Sequence, residues 1–195
     1  MKVCAFLSAV AAAALCLPAL AADPAGFSGD EVVIGILTDL NGPYADLTGE
    51  GSIAAARLAI EDFGGEVAGV PVRLLTADHQ QKADASSAKA REWIDRDGVD
   101  MITGLGQSAL GLAVQELASQ RRVITMNTGA GSTELTGSQC TRYGIHYSWN
   151  TRAVSVGTAS AVVDSGGKSW FFVAADYAFG ESLQQQATRV VEAKG

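Results

Sequence analysis

The sequence predicts an α/β protein built on a parallel sheet, and three observations carry that prediction. Short β-branched runs alternate with longer amphipathic stretches, the apolar period switches back and forth between strand and helix spacing, and small polar loops follow the strand-like runs. Strands are expected at Val32 to Leu37, Val70 to Ala77, Met101 to Thr103, Val123 to Met126 and Ser169 to Ala174, with Tyr143 to Tyr147 as a candidate extra one. Helices are expected over about Gly49 to Phe63, Ala83 to Asp95, Ser108 to Ser119, Ala153 to Asp164 and Glu181 to Glu192. In the first helix Ile53, Ala56, Ala59, Ile60 and Phe63 share one face, which should pack on a sheet, and Gly64-Gly65 should end it.

The residues ahead of the first strand read as a cleavable export signal. Lys2 supplies a positive start, Val3 to Leu17 an apolar stretch, and Ala19-Leu20-Ala21 a small-x-small cleavage site, so residues 1–21 leave and the chain continues from Ala22 or Asp23. The stretch is shorter than the ~18 to 20 apolar residues a spanning helix needs. Leu15 before Cys16 argues against lipid attachment at that cysteine. The formal charge is −7 over 195 residues, and removing Lys2 makes it one unit more negative, which argues against a nucleic-acid partner. Of three cysteines only Cys140 survives cleavage, so no internal disulfide can form; Cys140 reads as a buried small hydrophobe, the alternative being a half-cystine with an external partner.

In an open parallel sheet, ligands bind beyond the carboxyl ends of the strands. Three such loops are small and polar: Asn41 to Leu47, Gly104-Leu105-Gly106-Gln107-Ser108, and Asn127 to Ser132. Glycines there let backbone approach a ligand, and Ser108 at a helix start offers a hydroxyl beside free amides, an arrangement suited to a carboxylate. The plainer reading makes Ser108 an N-cap and the glycines turns. Gly104, Gly106 and Ala109 also match a dinucleotide fingerprint, but the next strand ends at Met126-Asn127 instead of on an acidic residue. A hydrolase elbow fails because Gly106-Gln107-Ser108-Ala109-Leu110 lacks its second glycine. His79 and His146 read as surface or strand-end histidines, the sequence spacing supports no metal site, and no cofactor is implied. Trp93, Trp149 and Trp170 read as core, with a hinge contact near the break at Trp149-Asn150-Thr151 as the alternative for Trp149, while Tyr44 and Tyr177 read as cleft-lining.

Taken together, Val33-Ile34-Gly35-Ile36-Leu37 through Asn41-Gly42-Pro43, Gly64-Gly65 with Gly69-Val70-Pro71-Val72, Thr76-Ala77-Asp78, Glu134-Leu135-Thr136 and Asp176-Tyr177-Ala178-Phe179-Gly180-Glu181 resemble the periplasmic leucine/isoleucine/valine-binding protein family, the type I solute receptors of ABC importers. The resemblance implies two lobes joined by hinges, with residues 22–150 belonging to lobe one and residues 151–195 opening lobe two, in a protein about twice this length. It also implies a small-molecule ligand, an amino acid or aromatic carboxylate, handed to membrane permease subunits. Carried over residue by residue, the carboxylate-gripping hydroxyl falls on Ser108, flanked by Gln107, and the small ligand loop on Gly129, Ala130 and Gly131. The closing aromatic falls on Phe179, near Tyr177, and a first-loop side chain on Leu47. Amino-acid-binding members commonly carry a Thr where this chain has Gly131, with Ser132 a one-residue substitute, and Phe179 stands where Tyr is frequent. Fewer hydrogen-bond partners for a zwitterionic head favour a small carboxylate or amide ligand, and the Asp-Tyr-Ala-Phe-Gly wording resembles a branch linked to aromatic carboxylates. A ligand-sensing receptor domain is the alternative, and a hydrolase a more distant one.

Overall fold

The computed structural model describes residues 29–194; the export-signal expectation for residues 1–21 lies outside the described residues. The elements run β1 (Val32–Thr38), α1 (Ala45–Thr48), α2 (Glu50–Asp62), β2 (Glu66–Val67), β3 (Val70–Asp78) and α3 (Ala83–Glu92), which continues into a π-helical turn at Trp93–Asp97. Next come β4 (Met101–Gly104), α4 (Ser108–Gln120), β5 (Ile124–Asn127), a 3₁₀ turn at Thr133–Leu135, β6 (Gly144–His146), α5 (Thr151–Asp164) and α6 (Ala178–Lys194). The sheet order is β2-β3-β1-β4-β5-β6, with β2 antiparallel to β3 and every other pairing parallel. The candidate strand at Tyr143 to Tyr147 is therefore real, as β6.

Strand register decides which residues meet the helices. Gly35 lies beside Leu75 on one side and Ile102 on the other, and neighbours in register share a face. Val33, Leu37, Leu75 and Ile102 thus project to one side, where Ala90 and Trp93 from the α3 segment and Val114 and Ala118 from α4 close the core over them. Full burial of Leu37, Ile102, Leu105 and Leu110 contributes about 2 kcal/mol each. The opposite face is less covered: Ile124 and Ile145 remain 41% and 43% exposed.

Three expectations need correction. The Ser169 to Ala174 segment forms no strand, and Phe171 and Val173 are 90% and 91% exposed, because β-branched and aromatic propensity makes a strand only where a neighbouring strand supplies a ladder. In α2 only Ile53 is fully buried, Ala56 and Ile60 are half-buried, and Ala59 and Phe63 are exposed (Phe63 71%), so the predicted stripe is covered over its first part only. Cys140 is exposed, in the irregular connection before β6, where no helix or sheet face closes over it.

β3 and β4 lie on opposite sides of β1, so the chain reverses its winding direction there and the loops after β1 and β4 diverge. This divergence opens a crevice at the carboxyl end of the sheet. The turn after β4 requires a left-handed pair. Gly104 has φ +89°, a Cβ there would sit 2.5 Å from the Leu37 carbonyl oxygen, and buried Leu105 follows at φ +54° with its N–H donating to that same oxygen (2.8 Å). Gly104→Ala should cost about 3 kcal/mol, combining left-handed strain with a backbone clash, and lower the thermal midpoint accordingly.

Candidate functional site

The crevice holds a cleft of about 370 Å³. Its walls come from Tyr44, Leu47, Thr48 and Ser52 after β1, Gly104, Gly106, Gln107 and Ser108 after β4, Thr128, Gly129 and Gly131 after β5, and Trp149, Tyr177 and Phe179 from the chain beyond β6.

Ser108 lies at the first turn of α4, 1% exposed, and its Oγ accepts hydrogen bonds from the N–H groups of Gly131 (3.2 Å) and Ser132 (3.1 Å). An oxygen that accepts twice keeps its single proton to donate. Two amides drawing on its lone pairs also polarise the O–H, so Ser108 is a strengthened donor at the cleft wall. The side chain of Gln107 caps α4, its Oε1 accepting from Leu110 N–H (3.1 Å), which commits the oxygen and leaves the amide nitrogen as a donor. The first-turn N–H groups of a helix lack intrahelical acceptors, and α4 starts at the cleft. Thr48 and Thr128 spend their hydroxyl protons on the carbonyls of Tyr44 and Gly104. No Asp or Glu is among the described lining residues. Donors left for a ligand are the Ser108 hydroxyl, the Gln107 amide nitrogen and the first-turn N–H groups of α4, beside the acceptor lone pairs of the Thr48 and Thr128 hydroxyls, and there is no side-chain charge to hold a cation.

The expected loop residues divide. Gly129 and Gly131 line the cleft, whereas Ala130 turns its methyl into a small core with Leu112 and Leu135 and gives its carbonyl to His146 Nε2 (2.6 Å). Ser132 is fully buried, with its Oγ accepting from Glu134 N–H (3.3 Å) at the 3₁₀ turn, so its hydroxyl faces away from the cleft. A Cβ on Gly131 would lie 2.7 Å from Trp149 and 3.1 Å from Phe179. Those rings meet edge to face at 5.8 Å, and Tyr177 stacks on Phe179 at 6.2 Å. The aromatic wall occupies the volume a Thr at position 131 would fill. Leu47 is on the wall and 78% exposed. Trp93 is core as expected, Trp170 is half-buried against Phe172, and Trp149 belongs to the cleft instead of the core.

The network fixing the first loop was not foreseen. Asp39, fully buried, accepts from Gly42 N–H (2.6 Å), Tyr44 N–H (2.8 Å) and Gln81 Nε2 (2.8 Å). Asp78 accepts from Gln80 N–H (2.8 Å) and Asn41 Nδ2 (2.9 Å). Burial alone opposes ionisation of both carboxyls, but these donors outweigh it and hold each below the ordinary carboxylate pKa. His79 sits between them and is buried, not on the surface, with Nδ1 accepting from Gln81 N–H (3.2 Å). Burial pushes its pKa down and the two carboxylates push back only in part. Potential ligand atoms of Asp39, Asp78 and His79 lie within 4.8 Å of one another, but the carboxylate charge is already met by N–H donors that fold the loop. Thr-Asp-Leu-Asn-Gly-Pro is a turn sequence in which an Asp commonly bonds the backbone ahead of it, and that was the available signal.

The comparisons agree with this architecture. A family model described as periplasmic binding protein matches residues 31–195. No curated protein matches the chain. Among solved structures, a periplasmic binding protein from Burkholderia mallei is 48% identical with a TM-score of 0.83, over 85% of this chain and 44% of that one. A branched-chain amino acid ABC transporter periplasmic ligand-binding protein from Burkholderia xenovorans is 38% identical with a TM-score of 0.74, over 85% and 44%. A solute-binding protein of an ABC transporter from Rhodopseudomonas palustris, in complex with 3,4-dihydroxybenzoic acid, is 26% identical with a TM-score of 0.77, over 86% and 45%. The chain thus spans less than half the length of these structures. Sheet order, cleft position and matched residues lead to one family: the chain belongs to the periplasmic binding proteins.

Proposed function

We propose that the whole protein is the solute-capturing component of an ABC importer in the periplasm, and that its ligand is a small carboxylate, aromatic in preference to zwitterionic. The observation that carries this reading is Ser108, whose doubly accepting hydroxyl can only donate toward a ligand. The aromatic wall of Trp149, Phe179 and Tyr177 favours a flat apolar body. Gly131, backed by those rings, leaves no hydroxyl for an ammonium group, and the described lining offers no carboxylate to balance one. The Burkholderia xenovorans relative, named for branched-chain amino acid transport, and the Rhodopseudomonas palustris relative, in complex with 3,4-dihydroxybenzoic acid, both support a carboxylate ligand.

In this reading residues 22–150 belong to lobe one and the chain crosses to lobe two at Asn150, whose side chain caps α5 by accepting from Ala153 N–H (2.9 Å). Ligand docks on Ser108 and the β5 loop, and closure brings Phe179 over it. The work is binding and hand-over to permease subunits, with no bond made or broken. A thermal-shift screen of the whole mature receptor tests it: benzoate-class acids should raise the midpoint by several degrees at saturating concentration, and a panel in which only cations or neutral sugars do so sinks the proposal. Gly131→Thr should weaken benzoate binding by at least tenfold by displacing Trp149 and Phe179, a change that calorimetric titration reads directly.

A further inference from the structure

We infer that Tyr44 and Tyr177 form a hydroxyl clasp across the cleft that holds the two lobes together before any ligand arrives; the inference rests on the two-lobed receptor reading above. The hydroxyl oxygens are 2.6 Å apart, joining residues separated by 133 positions in sequence, one in the loop after β1 and the other beyond the crossing at Asn150. Both partners are prepositioned. The Tyr44 backbone is pinned by its N–H bond to Asp39 (2.8 Å), itself gripped by Gln81, while the Tyr177 ring stacks on Phe179.

The other direct hydrogen bonds between α5–α6 and the body of the sheet lie near the crossing and cannot resist opening at the mouth. Among the described residues they include Thr151 N–H to the Gly131 carbonyl (2.8 Å), Ser182 Oγ with Thr133 Oγ1 (3.2 Å) and Gln186 Nε2 to Thr133 Oγ1 (3.3 Å), with Ser182 in turn bonded to Thr151 (2.7 Å). Contacts next to a hinge have little leverage, whereas a bond across the cleft is broken by the first few degrees of rotation. Burial, then the Tyr44 hydroxyl, pushes the Tyr177 pKa up to about 12, so the Tyr177 hydroxyl keeps its proton at any physiological pH. One hydroxyl donates to the other, leaving a single proton and spare lone pairs for water or ligand. A receptor biased toward closure presents its binding arrangement more often, which raises apparent affinity without a new ligand contact.

The test uses the whole receptor, ligand-free, with dyes on Asp62→Cys and Lys168→Cys in a Cys140→Ser background, all three positions being exposed. Single-molecule energy transfer gives the ratio of closed to open molecules. Tyr44→Phe and Tyr177→Phe should each lower that ratio about fivefold, the worth of one neutral hydrogen bond, and the double variant should lower it no further. An unchanged ratio in either single variant, or losses that multiply in the double, overturns the clasp. A benzoate titration of the same samples keeps the two readings apart: a wild type that binds no carboxylate yet shows the non-multiplying losses refutes the ligand reading and leaves the clasp standing.

Discussion

Ser108→Ala lowers the affinity of the whole receptor for a benzoate-class ligand by about 100-fold. A hydrogen bond to a charged group contributes about 1.5 to 3 kcal/mol, and each 1.4 kcal/mol is a factor of ten. The direct bond therefore accounts for roughly ten- to hundredfold. The upper end is expected because the same atom accepts the amides of Gly131 and Ser132, so its removal also loosens the loop that shapes the cleft. Calorimetric titration supplies the affinity, and the ligand-free midpoint should fall as well, since the two buried N–H groups lose their acceptor. An affinity within threefold of wild type would remove Ser108 from the site.

Asp39→Ala destabilises the protein by about 3 kcal/mol and weakens ligand binding as a secondary effect. Its carboxylate is fully buried and holds two backbone N–H groups and one side-chain amide, all of which the alanine would strand. The same loop carries Tyr44, Leu47 and Thr48 into the cleft, so its loosening is felt by ligand. Asp39→Asn keeps one acceptor oxygen and should cost less. Urea denaturation of the two variants checks the order.

This network also sets an acid sensitivity with a definite sign. Asp39 and Asp78 have folded pKa values below the ordinary 3.8, so their contribution is complete above that value and is lost as pH falls through it toward the folded pKa. His79, lowered from 6.5 chiefly by burial, stays neutral in the fold while the unfolded chain takes up a proton, so stability declines once pH drops below 6.5. The slope from one such group cannot exceed about 1.4 kcal/mol per pH unit. Unfolding free energies measured from pH 8 down to about 2 should fall in two stages, the first below 6.5 and the second below 3.8, and His79→Gln should abolish the upper one while leaving the lower.

Much of the sheet was legible because strands covered on their inner face are written in local residue choice. Val32 to Leu37 and Met101 to Thr103 announce themselves by apolar and β-branched runs, and the polar loops behind them fall at the crevice where parallel sheets bind ligands. Ser169 to Ala174 carries the same local signal and is not a strand, since the ladder partner it needs is not a local property. Phe63 completes a plausible helical stripe, yet burial fades along it from Ile53 through half-buried Ala56 and Ile60 to exposed Phe63. In the cleft, Ser108 was visible as a hydroxyl at a helix start. That its oxygen accepts two amides from the β5 loop depends on a sheet register no local pattern encodes. Trp149 reads as core by its size, but its neighbours in space are Gly131 and Phe179. The Tyr44 to Tyr177 contact joins two segments whose only relation is tertiary.

On the proposed function the cleft grips a carboxylate through the Ser108 hydroxyl and the amides at the start of α4. Calorimetric titration of the whole receptor with matched acids and amides, benzoate against benzamide and leucine against leucinamide, isolates that group from the rest of the ligand. Each acid that binds should do so at least tenfold more tightly than its amide, with benzoate ahead of leucine. Amides that bind as tightly as their acids would contradict this, because the polarised Ser108 hydroxyl and the first-turn amides of α4 must prefer a charged acceptor to a neutral one.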